Sequence, residues 1–378
     1  MLVESPRILL TGHSHQAWPD VAAEGLREAF DDAARHVDDK WSAAFERAEV
    51  LRGYVAEQLV GASPDEIALG QNTHELVSRF LSALDFARRP RLVASTGEFH
   101  SLDRQLRRLA EAGALVELIA AEPAATLSAR LADALDERTA AVMVSSVLFE
   151  SSSQVHGLAG LGERAAALGV ELLVDAYHGF GVLPLSLAAL GGERAFVTGG
   201  GYKYAQWGEG CCFLRVPKSS ELRPVYTGWF SDFAGLEAPR DGVGVVTYGA
   251  LPHQRFAGST YDPTSHYRAA RVVRFFCEQG LGISRLRALS LHQTERLMSQ
   301  LEQALGPERL LTPRAPGDRA GFVAVLDSQA KARAASLRDR GVWVDARGAA
   351  LRFGPAPYTL DSELDEAVAR YLALVRAG

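Results

Sequence analysis

Lys203 lies in the run Gly199-Gly200-Gly201-Tyr202-Lys203-Tyr204, downstream of an apolar stretch that ends in Asp175 and is followed by His178. An amine in a glycine loop and a carboxylate at a strand end are two groups that a pyridoxal phosphate asks of a protein. The amine forms a Schiff base, and the carboxylate sits on the pyridine nitrogen. The distance in sequence between Asp175 and Lys203 leaves room for a crossover and a further strand. A second candidate is Gln71-Asn72-Thr73-His74-Glu75, which precedes the apolar-periodic residues Leu76, Val77, Phe80 and Leu81. Asn72 or Thr73 is a natural N-cap there, and helix N-termini gather N–H donors for phosphate oxygens. A third is His13-Ser14-His15 after the apolar run Ile8-Leu9-Leu10. Some barrel hydrolases hold a divalent metal with such a pair, but they need further His and Asp ligands at later strand ends. That reading leaves the Tyr202-Lys203 loop without a use, so no metal is expected.

The elements that must position these groups follow from apolar patterning. Short apolar runs at Arg91 to Ser95, Leu115 to Ala120, Ala140 to Ser145, Val170 to Asp175, Phe196 to Thr198 and Cys212 to Val216 alternate with amphipathic stretches. This is the pattern of a mostly parallel sheet covered on both faces, and ligands bind beyond the carboxyl ends of its strands. One connecting helix is legible from Leu161 to Leu168, with Gly169 placed to end it. Between Pro217 and Thr264 the pattern breaks, and helices are expected over Ser265 to Gly280 and Ile283 to Leu305. A smaller α/β unit follows, with strands at Gly321 to Leu326, Val342 to Asp345 and Ala350 to Phe353 and helices at Ala330 to Arg340 and Ser362 to Ala377. The expected division is an N-terminal segment, 1–20, that contributes to the active site, a large domain, 21–262, and a small C-terminal domain, 263–378.

The 378 residues allow two domains with large cores. A net charge of −6 offers no general attraction to nucleic acid or an anionic membrane. No apolar run approaches the roughly 18 residues that a membrane span needs, and the start lacks a signal-peptide pattern. Three cysteines, two of them adjacent, argue against a disulfide framework and fit a reducing cytoplasm.

Five landmarks in order carry a family resemblance. Gly12-His13-Ser14-His15-Gln16-Ala17-Trp18-Pro19 is an altered form of an opening G-N-S-L-G-x-x-P. Gly201-Tyr202-Lys203-Tyr204-Ala205-Gln206-Trp207-Gly208-Glu209-Gly210 follows S-Y-K-Y-x-x-x-G-x-G. Gly228-Trp229, the loop Arg255-Phe256 to Ser259-Thr260, and Leu351-Arg352-Phe353-Gly354 to Thr359 complete the set. Over nearly its whole length the chain resembles kynureninase and, more broadly, the class V branch of the fold-type I pyridoxal phosphate-dependent enzymes.

The resemblance implies that fold, in which a large domain is built on a mostly parallel sheet and a smaller C-terminal α/β domain follows. It also implies roles. Lys203 would bind the cofactor and move protons, Asp175 would hold the pyridine nitrogen protonated, and His178 would lie beside the ring. Phe99 would stack on the ring, with His100 in reserve. Thr73, His74, Tyr202, Trp229 and Thr260 would hold the phosphate, Thr260 by way of a partner subunit. Tyr202 could also assist as an acid. Arg352 would bind a substrate α-carboxylate through two parallel charge-assisted hydrogen bonds, so the substrate would be a small-molecule α-amino acid.

His13, His15 and Gln16 replace the residues of the family opening, and Val147 to Gln154 replaces its N-Y-x-x-G stretch. In the family both segments border the substrate side chain, so the resemblance makes His13 and His15 candidates for touching it. Cys211 and Cys212 begin a strand and Cys277 falls in a helix, so all three are expected to pack, and a cysteine desulfurase is disfavoured. The implied activity is hydrolysis of L-kynurenine, 3-hydroxykynurenine or a related γ-keto α-amino acid, in tryptophan catabolism. Transamination, β-elimination and epimerisation by a class V enzyme are the alternatives. A homodimer in the cytoplasm is expected from the same resemblance.

Overall fold

Seven strands make the main sheet: β1 (Ile67–Gly70), β2 (Arg91–Ser95), β3 (Leu115–Ile119), β4 (Thr139–Ser145), β5 (Glu171–Asp175), β6 (Phe196–Gly200) and β7 (Cys212–Arg215). Their spatial order is β1-β7-β6-β5-β4-β2-β3. The computed structural model describes residues 7–237 and 244–377, so the first six residues of the expected N-terminal segment lie outside it. Every residue of β4 is buried, as a strand covered on both faces requires, which is why its apolar run is continuous rather than alternating. Register brings Ser145 of β4 level with Asp175 of β5, and Asp175 level with Thr198 of β6. β7 is the departure from the parallel pattern, running antiparallel to both neighbours. The link from Gly200 to Cys212 is too short for the crossover that a parallel partner needs.

The helices that bear on the site are α1 (Val21–His36), α2 (Lys40–Gln58), α3 (Thr73–Ser82), α4 (His100–Glu111), α5 (Leu158–Leu168), α6 (Thr264–Glu278), α7 (Ile283–Leu305), α8 (Ala330–Asp339) and α9 (Asp361–Ala377). α5 begins a turn before the expected Leu161, because Leu158 is buried with Leu161 and Ala165 against the sheet. Gly169, at φ +62°, ends it in the left-handed conformation that glycine adopts at least cost. α6 packs along α1 and α2.

β8 (Val323–Leu326), β9 (Asp345–Arg347) and β10 (Ala350–Phe353) form a small antiparallel sheet in the order β8-β10-β9. Leu297, Met298 and Leu301 of α7, Leu337 of α8, and Leu364 and Tyr371 of α9 close its core. Leu286, one end of α7, belongs instead to the large core, so this helix ties the two units together. The strand expected over Val342 to Asp345 is divided. Val342–Trp343 pairs in parallel with Ile8–Leu9, and Asp345 opens β9. Among the described residues no helix is long and apolar enough to cross a membrane.

Candidate active site

Four strand ends deliver the site to one edge of the sheet. β5 ends in Asp175, whose Oδ1 accepts the Tyr177 N–H at 2.8 Å. β6 runs into the lysine loop. Gly201 is pressed there against the fully buried Trp207, where a Cβ would lie 2.1 Å from the indole Cε3. Gly201 also accepts the Trp207 N–H at 2.8 Å and donates to the Cys211 carbonyl at 3.0 Å. The loop is therefore anchored at both ends, and Lys203, 3% exposed, projects between them.

The Lys203 amine lies 2.8 Å from His178 Nε2. It faces the rings of Tyr177, Phe99 and Tyr202, with centroids at 4.7, 5.1 and 5.6 Å. Burial is the main cause that brings its pKa down to about 7; Arg352 adds to the lowering and Asp175 opposes it. Burial raises Asp175 in turn, against the Tyr177 N–H and the Lys203 charge. His178 is held well below the usual imidazole range by burial, then by Lys203 and Arg352. The amine is thus poised for chemistry near neutral pH.

A cavity of about 180 Å3 opens beside it, lined by Gln71 to His74, Phe99, Asp175, Tyr177, His178, Tyr202 and Lys203 among others. Gln71 to His74 form the start of α3, where Asn72 Oδ1 caps the Glu75 N–H at 2.9 Å. The Thr73 N–H donates to the Cys212 thiol, and the Gln105 side-chain amide holds His74 Nδ1. An amine, a half-buried carboxylate, a flanking aromatic ring and a helix N-terminus around one small cavity fit a pyridoxal phosphate. Lys203 and Asp175 would take its aldehyde and its ring nitrogen, and the α3 end its phosphate.

Phe99 is the residue before α4, and the buried Glu98 fixes its backbone. One Glu98 oxygen accepts Ser95 Oγ at 2.5 Å and the Ser145 N–H at 3.1 Å, and the other accepts Ser145 Oγ at 2.7 Å. The carboxyl thereby ties β2 to β4. Burial lifts its pKa to about 7 despite those serines.

Arg352, on β10, is 2% exposed. It is gripped by Asp345, bonded to the Phe149 carbonyl, and stacked 5.5 Å from the Phe322 ring centre. His13 is buried behind it, with Nε2 2.9 Å from Asp345 Oδ1 and its ring stacked on Phe322 at 4.6 Å. It does not line the cavity. His15 instead stacks on Tyr202 at 5.0 Å with its side chain 66% exposed. Trp229 and Thr260 bond each other at 3.1 Å, away from Lys203. Thr260 lines a separate cavity with Phe230 and Phe233.

The cysteine expectation needs one correction. Cys211 and Cys212 are buried, but Cys277 is exposed on α6, where its helical face turns from the core. Burial raises the Cys212 thiol to about 12. Sequence reasoning did not single out Tyr177, Glu98, Phe149, Phe322 or Asp345. Asp345 had a signal, since it faces Arg352 across a hairpin turning near Gly348, and opposite charges pair directly across such strands.

The kynureninase C-terminal domain model matches residues 286–371, which include Asp345 and Arg352. A kynureninase of Deinococcus radiodurans is 26% identical over 97% of this chain and 90% of its own. An uncharacterized aminotransferase of Bacillus subtilis is 23% identical over 95% and 92%. An isopenicillin N epimerase of Streptomyces clavuligerus is 27% identical over 82% and 80%. Among solved structures, a C-DES mutant with glycine covalently linked to its pyridoxal phosphate cofactor superposes with a TM-score of 0.82. It is 20% identical, over 97% of both chains. The chain has the fold-type I architecture of pyridoxal phosphate-dependent enzymes, and its C-terminal part is similar to that of kynureninases. The Lys203 cavity lies at the carboxyl ends of the strands, where open α/β sheets bind ligands. The fold and the cavity therefore agree on where the cofactor belongs.

Proposed function

We propose that the chain is a pyridoxal phosphate-dependent hydrolase. It cleaves the Cβ–Cγ bond of L-kynurenine, 3-hydroxykynurenine or a related γ-keto α-amino acid, consuming water and releasing an aryl carboxylate and alanine. Arg352 carries this reading. It is a buried arginine with three of its five N–H donors bonded to protein, close enough to Lys203 and His178 for its charge to lower the pKa of both. Such a group selects an α-carboxylate. Phe99 and Phe322 lie against His178 with ring centres 6.2 and 6.3 Å away, and Phe149 packs on Phe99 at 5.6 Å. That aromatic wall suits an aryl side chain.

The cofactor supplies an electron sink for negative charge developing at Cα. Lys203, with a pKa of about 7, takes the Cα proton and returns it, and His178 at 2.8 Å steadies its amine. Asp175 would hold a proton on the ring nitrogen, and Phe99 would flank the ring. The Tyr202 hydroxyl, held up at about 12 mainly by burial, stays protonated and can donate. The enzyme acts as a cytoplasmic homodimer, in which Trp229 and Thr260 serve the partner's phosphate rather than their own.

The test is incubation of cofactor-loaded protein with L-kynurenine and 3-hydroxykynurenine, with Lys203→Ala alongside. Matched release of aryl carboxylate and alanine, absent in the variant, is the expected result. Formation of a keto acid, with the cofactor left as its amine, would make the chain an aminotransferase instead. The epimerase relative gives a third outcome, in which the substrate is racemised without cleavage.

A further inference from the structure

We propose that Asp345 is a positioning residue for substrate recognition: it grips one edge of the Arg352 guanidinium, is itself held by His13, and so keeps the opposite N–H pair aimed at the substrate carboxylate. This rests on the reading of Arg352 as the carboxylate site. Asp345 and Arg352 face each other across the β9–β10 hairpin. Arg352 Nε donates to Asp345 Oδ1 at 2.8 Å and Nη2 donates to Oδ2. Nη1 donates to the Phe149 carbonyl, in the rebuilt segment after β4. A guanidinium has five N–H donors in a rigid plane. Asp345 and Phe149 occupy three of them, and Phe322 stacks near the plane, so two are left to meet a ligand.

His13 holds Asp345 from a second element, its Nε2 lying 2.9 Å from Oδ1, the oxygen that also takes the Arg352 Nε–H. Its own ring has no room to turn, being stacked on Phe322 with Gly354 packed so closely that a Cβ there would fall 2.0 Å from Nδ1. Burial, then the Arg352 charge, keeps His13 neutral near neutral pH, its pKa brought down to about 4 against the pull of Asp345. Removing His13 therefore removes a hold on Asp345 without changing the charge of the site.

That separates aim from charge. If Asp345 were only a counter-charge, neutralising it would leave Arg352 more attractive to a carboxylate, and His13 would not matter. If Asp345 aims Arg352, losing either residue weakens carboxylate recognition. The experiment titrates holoenzyme with L-alanine and with ethylamine, its analogue lacking the carboxylate. Bound-cofactor absorbance gives the affinity ratio, in which general damage cancels. The expected ratio falls about tenfold in Asp345→Asn, falls in the same direction in His13→Ala, and is lost in Arg352→Ala. A ratio unchanged or raised in Asp345→Asn and His13→Ala, with Arg352→Ala still abolishing it, overturns the proposal and leaves the carboxylate reading standing. A ratio that survives Arg352→Ala overturns both. Melting temperature and retained absorbance check each fold, and if Asp345→Asn does not fold, His13→Ala decides.

Discussion

Lys203 is buried among rings with a weakened grip on its proton, and two predictions belong to that side chain. Lys203→Ala should lower turnover by on the order of 10^4-fold or more, read as product release per bound cofactor. The neutral amine is the reacting form, and a group with pKa near 7 becomes neutral as pH rises through that value. Loading of apoprotein with pyridoxal phosphate, followed by absorbance, should therefore quicken about tenfold between pH 6 and pH 8. A rate that climbs only towards pH 10 would return the lysine to an ordinary solvated state. Arg352→Lys keeps the positive charge and loses the planar fork, so kcat/KM should fall about 10- to 100-fold on the best substrate.

The loops and caps that carry these side chains respond to different changes. Gly201→Ala drives a methyl into Trp207, so the lysine loop must shift. The cost should be about 1–3 kcal/mol in a denaturant melt, with a changed cofactor spectrum. Asn72→Ala removes a helix cap worth about 1 kcal/mol and should loosen cofactor retention in dialysis. Much of this level was legible from sequence. The end of β5 at Asp175, the cap at Asn72 and the stop at Gly169 are local signals, set by patterning and turn chemistry. Asp345 and Glu98 were less legible, because their importance comes from partners distant in the chain, Phe149 by way of Arg352 and Ser145 respectively. The antiparallel course of β7 depends on connection length rather than on its own apolar residues.

At the scale of the molecule, the surface around the segment after β7 is unusually apolar. Val225 and Val245 are 84% and 80% exposed, with Tyr226, Trp229 and Phe233 nearby in sequence and also exposed. Large exposed apolar patches mark association surfaces, and a homodimer would cover this one. The melting temperature should then rise with protein concentration, and Val225→Glu should shift sedimentation towards a monomer while loosening cofactor retention. An unchanged sedimentation profile would place the interface elsewhere.

The parallel pairing of Ile8–Leu9 with Val342–Trp343 means that the C-terminal unit is completed by the opposite end of the chain. The kynureninase C-terminal domain match at 286–371 does not include that strand. A fragment cut at those bounds would lose Ile8 and Leu10 from its core and the His13 hold on Asp345. Chain position and structural membership part company here, and a synthetic peptide spanning 7–20 should restore solubility to such a fragment by complementation in trans.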